Sequence, residues 1–492
     1  MKQTQKTAVT VFLSILLCTL ILAPAAHATN GMNMEGYGPI ATGMGGASMA
    51  YDNGTAAMMN NPATLSLMES KARLDLAIGF LGPNITTSMT GAPDAKSSAD
   101  LFMMPAFGYA RKSGQFVYGM GVFAQGGMGT EYAANGIMDG FVSMITGTAA
   151  PNMGSAGLPT RSEVSVGRFL IPVAYTVNDQ LSIGGSLDFV WAGMDLQMVM
   201  GGEQMRDMMA SFGGTNTYGT MGGSMLNVLG SFVGTALDPD SPVNWGYFNF
   251  SDGSDFSGKA KATGFAGKLG GVYKVNKELT LGVTYHSKTA MGDLEATGAT
   301  LQFNVNTNDA VVGTIGPATT ATATGKIKVK DFEWPQMIGA GAAYQATDKL
   351  LVVFDYKWIN WAAVMKNFHM TFTAEADNFG GAFVGSVLDA TLIQKWKDQH
   401  VFMLGASHKT TDELTLRAGM NIANNPVPDF YMNPLFPAII KNHYMIGAGY
   451  AINKANSVDA SFTYAPEVKA SNGFVSTKHS QQNTQIMYSY RF

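Results

Sequence analysis

Short segments in which apolar and polar residues alternate recur along this chain of 492 residues. The segment 181–191 is one example, and 279–286, 350–358 and 414–420 follow the same pattern. Alternation with a period of two places successive side chains on opposite faces of a β-strand. A strand that contacts lipid on one face and lines a lumen on the other has this pattern. The alternation therefore predicts strands with one apolar and one polar face.

The composition and the lengths of the apolar segments indicate whether the chain crosses a membrane with helices or as a closed barrel. Only 13% of the residues are charged and the formal net charge is −4, whereas soluble proteins contain about 25% charged residues. After residue 28 no segment approaches the roughly 20 apolar residues of a spanning helix. Because a spanning structure must satisfy its backbone polar groups internally, a closed barrel remains. The charge also argues against a nucleic-acid binder and against an acidic disordered chain.

The N-terminus has the pattern of a secretory signal peptide. Lys2 and Lys6 precede an apolar run over residues 8–22, and a small-residue site ends at Ala28. The run is too short for a membrane anchor. We therefore expect residues 1–28 to be cleaved off, together with the only cysteine, Cys18, and we expect the protein to lie in the cell outer membrane.

Six short polar turns, most of them preceded by an aromatic residue, divide the chain into predicted hairpins. Aromatic residues before short turns are typical of the periplasmic side of a bacterial barrel. Six hairpins, a strand near residues 73–87 and a closing strand that ends at Phe492 predict fourteen strands, an even number as such barrels require. The turns are Tyr109–Phe116, Tyr175–Leu181, Tyr273–Leu279, Tyr344–Leu350, His408–Leu414 and Tyr450–Asn456.

The segments between the hairpins are predicted to be irregular extracellular loops, at 131–160, 195–257, 297–322, 366–397 and 424–439. Two groups in the second loop have helical spacing. These helices either pack on the barrel rim or form an apolar entrance groove, for which unbranched Met is suited. The groups are Met205, Met208, Met209 and Phe212, which are the candidate groove residues, and Leu226, Leu229 and Val233.

The segment 31–67 precedes the first strand and lacks alternation. It contains Gly43-Met-Gly45-Gly46-Ala and Asn61-Pro62-Ala63. In these motifs the chain resembles the FadL-type family of outer-membrane transporters for long-chain fatty acids and aromatic hydrocarbons. Further similarity covers most of the chain after the signal peptide, at Phe123–Tyr132, Trp334–Gly341, Asp355–Trp361 and Phe436–His443.

The resemblance implies an all-β fold, a fourteen-stranded antiparallel transmembrane barrel that acts as a monomer. Residues 29–72 would form a hatch of short helices in the lumen, and residues 73–492 the barrel. It also implies passive uptake of a fatty acid or hydrocarbon that leaves sideways into the membrane, with outer-membrane lipid and lipopolysaccharide as surroundings. Gly43, Gly45, Gly46, Asn61, Pro62 and Ala63 are the candidate hatch motif.

The segment Phe123–Gly129 breaks the alternation of the strand before it. Glycine within a strand often marks a bulge or a bend, and the family resemblance places a lateral exit here. The alternative is that the glycines relieve crowding against the hatch. The candidate residues of the lateral opening are Phe123, Gly126, Gly127 and Gly129.

Several inward-facing ionisable residues are interpreted as anchors for the hatch, although they could also select a charged solute. Their signs are mixed, and a polar lumen is common to barrels. No hydrolase or metal motif is present, so we expect no enzyme, no cofactor, no metal and no nucleic-acid partner. The main alternative is a general porin for polar solutes. The ionisable residues are Asp188, Lys268, Lys288, Asp355, Lys357, Arg417, Asp459 and Arg491.

Overall fold

The computed structural model describes residues 30–89, 93–134, 156–236, 243–254, 258–309 and 314–492. The predicted signal peptide and most of the predicted loop 131–160 lie outside the described residues. No helix in the described part of the chain combines the length and the apolar character needed to cross a membrane.

One antiparallel sheet contains all of the described strands. In chain order the strands are β1 (Ala72–Ser88), β2 (Ala95–Lys96), β3 (Phe102–Ser113), β4 (Phe116–Tyr132), β5 (Thr160–Thr176), β6 (Leu181–Gly201), β7 (Gly219–Gly222), β8 (Trp245–Phe250), β9 (Ala260–Lys274), β10 (Leu279–His286), β11 (Ala290–Met291), β12 (Leu294–Asp309), β13 (Thr314–Lys330), β14 (Met337–Thr347), β15 (Leu350–Ile359), β16 (Asn367–Asp377), β17 (Val387–Ile393), β18 (Gln399–Lys409), β19 (Leu414–Ala423), β20 (Asn442–Ala451), β21 (Asn456–Ser471) and β22 (Ser476–Arg491).

The sheet closes on itself as a barrel. Pairings run from β1 through β3, β4, β5, β6, β9, β10, β14, β15, β18, β19, β20 and β21 to β22. β22 then pairs with β1 over sixteen residue pairs, from Arg73–Arg491 to Ser88–Ser476. All six predicted short turns connect paired strands at one end of the barrel and are confirmed. We call the opposite end the loop end.

The predicted count of fourteen strands is wrong for this sheet. The described residues form 22 strands, and sixteen of them are ten or more residues long. The difference arises at the loop end, where β8, β12, β13, β16, β17 and β7 pair in that order and extend the sheet from β6. The predicted loops 297–322 and 366–397 are therefore largely strands. In the predicted loop 195–257, the helices Gly202–Met208 and Ser224–Ala236 follow the predicted helical spacing.

The two faces of the wall differ in polarity as the alternation predicts. On β6, Leu187 and Phe189 are 59% and 39% exposed, while Asp188 between them is fully buried. The outward side chains of the other strands in the closed path from β1 to β22 are mostly apolar as well. The outer surface of the barrel is thus suited to lipid, in accordance with the composition.

The N-terminal segment, residues 30–70, is more irregular than predicted. It contains one helical turn at Pro39–Thr42 and two 3-10 helices at Gly54–Met58 and Pro62–Leu67, and the rest is turns and coil. The expectation of a hatch built of short helices is therefore corrected. Gly45 and Gly46 follow the helical turn with φ of +75° and +81°, a left-handed conformation that favours glycine.

The wall allows the backbone of this segment to approach closely, because glycines face it from several strands. A Cβ atom on Gly405 or Gly419 would lie less than 3.0 Å from backbone atoms of Met44. Such distances leave no room for a side chain. The same holds for Gly282 against Met49 and Gly184 against Ala63, whereas Gly108 and Gly270 lie against the side chains of Thr55 and Asn61.

Candidate functional site

The pairing of β3 with β4 ends part-way along both strands. The last pair is Ala106–Phe123, and β5 is the only strand that pairs with the remaining nine residues of β4, although Gly126 also forms an isolated bridge with Asn33. On the other side, Phe102 to Pro105 of β3 pair with β1 alone. The wall therefore has an interruption between β3 and β4 on the side of the loop end.

A bulge in β4 accompanies the interruption. The β4–β5 register shifts between Ala124 and Gly126, so that Gln125 is the extra residue. A bulged strand without a neighbour leaves backbone groups unpaired, which costs several kcal/mol per group in lipid. The N-terminal segment supplies partners on the lumen side. Gly127 N–H donates to Met32 O at 3.0 Å, and Met34 N–H donates to Gln125 O at 3.4 Å.

Tyr37 adds a second bond to the bulge. Its hydroxyl donates to the same Gln125 carbonyl oxygen at 2.7 Å. Burial raises the pKa of the Tyr37 phenol above its usual value, more than the nearby Arg168 lowers it, so the hydroxyl keeps its proton. The bulge is thus held by donors that remain protonated at neutral pH.

A buried ionic network lies directly behind the bulge. Arg168 donates to Gln125 Oε1 through Nε and to Asp188 through Nη1, the latter at 2.8 Å. Lys268 forms a further ion pair with Asp188. Arg168, which Asp188 holds in place, bonds the Gln125 amide oxygen and so fixes the direction in which this side chain points.

A cavity of about 260 Å³ occupies the interruption. Its lining combines both sides of the wall. Val122 and Trp191 belong to the outer surface, each 38% exposed, whereas Met32 and His479 are buried in the lumen at 4% and 2%. The cavity is thus lined by residues from both sides of the wall. We call it the wall cavity.

Two smaller cavities continue from the wall cavity toward the loop end. The interior cavity, about 30 Å³, shares Met32 and Val164 with the wall cavity. The rim cavity, about 90 Å³, shares Met198 and Leu392 with the interior cavity. Shared lining residues place the three cavities in one series. The rings of Tyr218 and Phe430 stack 5.8 Å apart at the rim cavity.

The structure brings together the four candidate residues of the lateral opening, because Phe123, Gly126, Gly127 and Gly129 all line the wall cavity. A Cβ atom on Gly126 would lie less than 3.0 Å from Met32 O, so this glycine also relieves crowding against the N-terminal segment. Gly126 therefore fits both interpretations of the sequence, because it lines the cavity and also leaves room for the N-terminal segment.

The candidate hatch motif is buried where the N-terminal segment contacts the wall. Asn61 is extended, with φ −135° and ψ 105°, and Pro62 starts a 3-10 helix. The Asn61 side chain donates to Met49 O at 2.7 Å and to Gly271 O of β9 at 3.3 Å. The motif thus joins two parts of the segment to the barrel.

Two of the predicted ionisable anchors contact the segment directly. Asp355 accepts bonds from Ser48 N–H at 2.5 Å and Met49 N–H at 3.0 Å. Lys357 donates to Gly46 O at 3.4 Å. The others mostly bond to the wall itself, at Lys268–Asp188, Arg417–Asp459, Lys288–Glu333 and Arg491–Ser457.

The candidate groove residues lie beside the rim cavity and not on it. Met205, Met208 and Met209 are buried, and Gln204 of the same helix lines the cavity instead. The Phe212 side chain lies outside the described part of the structure. The rim cavity is lined mainly by residues of β6 and of the segment 430–435.

The sequence did not point to the residues of other strands that complete the wall cavity with β4. Phe102, Trp191 and His479 come from β3, β6 and β22 and meet only in the folded barrel. The only local signal was the inward position of His479 in the alternation of the last strand.

Comparison with known proteins agrees with this architecture. Residues 15–490 match the family described as outer membrane protein transport protein (OMPP1/FadL/TodX). The chain belongs to this family. Its members are transport proteins of the outer membrane and not enzymes, which gives the localisation of this chain as the outer membrane.

Two solved structures resemble this one over almost its whole length. The toluene transporter TodX of P. putida is 26% identical with a TM-score of 0.74, covering 93% of this chain and 99% of that one. The toluene transporter TbuX of Ralstonia pickettii is 26% identical with a TM-score of 0.68 and the same coverage.

Outer membrane protein P1 of Haemophilus influenzae is 24% identical over 294 residues, or 59% of this chain and 53% of the relative. The chain spans about half the length of the curated relatives it matches.

Proposed function

We propose that this protein is a channel for the passive uptake of small hydrophobic molecules, which leave the lumen sideways through the interruption between β3 and β4. The observation that carries the proposal is the wall cavity, whose lining includes outward residues such as Trp191 and lumen residues such as Met32. A ligand in this cavity can reach the lipid without crossing the polar end of the barrel.

The three cavities support a direction for the path. A ligand from outside enters at the rim cavity, passes the interior cavity and reaches the wall cavity. At about 30 Å³ the interior cavity is smaller than the roughly 150 Å³ that holds benzene. Its Met and Phe side chains must therefore move during passage, and unbranched Met has the freedom to do so.

In this proposal the N-terminal segment acts as a hatch with two roles. It closes the lumen to ions. It also supplies hydrogen-bond partners for backbone groups of the bulge, which the interruption of the wall would otherwise leave unpaired. Asp355 and Asn61 anchor it to β15 and β9. The solved relatives are named as toluene transporters, so toluene is a suitable test ligand. The wall cavity, at about 260 Å³, is larger than the roughly 150 Å³ that holds benzene.

A disulfide across the interruption tests the exit. Pro105 and Ala124 continue the β3–β4 register by one step beyond Ala106–Phe123. We expect the variant Pro105→Cys/Ala124→Cys to lose most of its labelled-toluene uptake in cells under oxidising conditions and to regain it after reduction. The native Cys18 lies in the predicted signal peptide, so the mature protein offers no competing thiol.

The matched control places the same bond where the strands already pair, at Tyr109→Cys/Met120→Cys. Its uptake should not respond to oxidation. If the oxidised Pro105→Cys/Ala124→Cys protein forms its disulfide, shown by mass spectrometry, and still takes up toluene at the wild-type rate, the lateral exit is wrong.

A further inference from the structure

One end of the wall cavity is polar, and its chemistry is specific. His479 of β22 lines the cavity and is 2% exposed. Its Nδ1 lies 3.0 Å from Pro437 O. Because a carbonyl oxygen only accepts, Nδ1 must carry the proton of the neutral ring. The other nitrogen, Nε2, is then an acceptor, and it has no partner among the described residues.

Further acceptors line the same cavity. The carboxyl group of Glu35 lines the same cavity, and its Oε1 accepts from Asn483 Nδ2 at 2.9 Å. Gln481 also lines the cavity and uses its amide N–H to bond Asn483 Oδ1 at 3.0 Å. In this lining the amide N–H of Gln481 is therefore used within the protein, whereas His479 Nε2 remains as an acceptor without a partner among the described residues. A ligand group that fits must bring a hydrogen-bond donor.

The charges along the path exclude an anionic ligand. Among the described residues that line the wall, interior and rim cavities, none is Lys or Arg. A carboxylate moved from water into an apolar cavity without a cation is strongly disfavoured. A neutral group avoids this cost.

We propose that the polar end of the wall cavity binds the hydroxyl group of a neutral hydrophobic ligand, with His479 Nε2 accepting the bond from its O–H. The ligand class is then a hydroxylated hydrocarbon, such as a phenol or an alcohol, and not a fatty-acid anion. The apolar part of the ligand lies against Met32, Ile85 and Phe123. This proposal rests on the proposed function, because it uses the same cavity.

Three ligands of similar size separate the possibilities: p-cresol has the hydroxyl, toluene lacks it and benzoate is anionic. Binding is measured by calorimetry on the full mature protein in lipid nanodiscs, with empty nanodiscs subtracted. One net hydrogen bond corresponds to a factor of about five to ten in affinity. We expect p-cresol to bind tighter than toluene by this factor, and benzoate to bind weakest.

The variants isolate the acceptor. His479→Asn keeps an N–H that can reach Pro437 O but removes Nε2. The affinity of this variant for p-cresol should therefore fall to its affinity for toluene, and the affinity for toluene should stay as in wild type. His479→Gln places an amide oxygen near the position of Nε2 and should restore part of the preference. His408→Asn, near the end of β18 and outside the wall cavity, is the matched control and should bind as wild type.

The outcomes keep the two proposals apart. Equal wild-type affinities for p-cresol and toluene, tighter binding of benzoate, or an unchanged preference in His479→Asn overturn the hydroxyl site but leave the hydrophobic channel standing. If the wild-type protein binds neither toluene nor p-cresol, both proposals are overturned.

Discussion

Replacing Gly126 by Ala tests whether the N-terminal segment and the bulge depend on each other. A Cβ atom at this position would lie less than 3.0 Å from Met32 O and 3.1 Å from Asn33 Cα. Non-bonded carbon atoms normally keep about 3.5–4.0 Å. The Met32 carbonyl must therefore move away from β4, by a distance on the order of 1 Å, and its 3.0 Å bond from Gly127 N–H must break.

The magnitude follows from the groups that lose their partner. A buried N–H or C=O without a hydrogen bond costs about 1–3 kcal/mol. Alanine recovers about 0.5–1 kcal/mol relative to glycine inside a strand. We therefore expect Gly126→Ala to lower the free energy of unfolding by at least about 1 kcal/mol. Toluene uptake should fall as well, since Met32 moves toward the interior cavity that it lines.

Urea titration in phospholipid vesicles, extrapolated linearly to water, measures this free energy. The matched control is Gly267→Ala on β9, where the only close atom to the new Cβ is Ser186 O at 3.5 Å, an ordinary contact. The control should be as stable as wild type or slightly more stable. An unaltered stability of Gly126→Ala, or an equal loss in Gly267→Ala, would refute the reasoning.

Two further predictions concern the proposed hatch. Asp355→Ala removes the acceptor of the Ser48 and Met49 N–H groups. We therefore expect the free energy of unfolding to fall by about 1–3 kcal/mol per donor, and ion-channel openings in planar bilayers to become more frequent. Asp355→Asn should have a smaller effect. Wild-type recordings from folded Asp355→Ala would contradict the anchoring role. Deleting residues 30–66 should raise the single-channel conductance severalfold and abolish toluene uptake, and an unaltered conductance would show that the segment does not close the lumen.

The six short turns could be predicted because each combines an aromatic residue, a polar turn and a return to alternation. β12 and β13 could not be predicted in the same way. On β12 the apolar side chains Leu301 and Phe303 face inward, and polar residues face outward, which reverses the pattern of a lipid-facing strand. A register shift between Ala296 and Ala299 also interrupts the alternation. The sequence of β12 therefore reads as a polar loop.

The candidate site was predictable only along one strand. The change from alternation to glycines in β4 marks the bulge at Gln125, because backbone geometry is a local property. The residues that complete the wall cavity lie far away in the chain, as Phe102 and His479 show. They come close together only because the barrel closes between β1 and β22. A contact between residues so far apart in the chain leaves no local pattern in the sequence.

The inward glycines of the wall have a consequence for reading other sequences of this architecture. Each of them, such as Gly282, Gly405 and Gly419, marks a point where the backbone of the N-terminal segment leaves no space for a side chain. A larger residue at such a point is compatible only with a segment that takes another course. The inward glycines of a relative thus give a map of the path of its own N-terminal segment, and a substitution on the wall should be accompanied by a change in the segment that it faces.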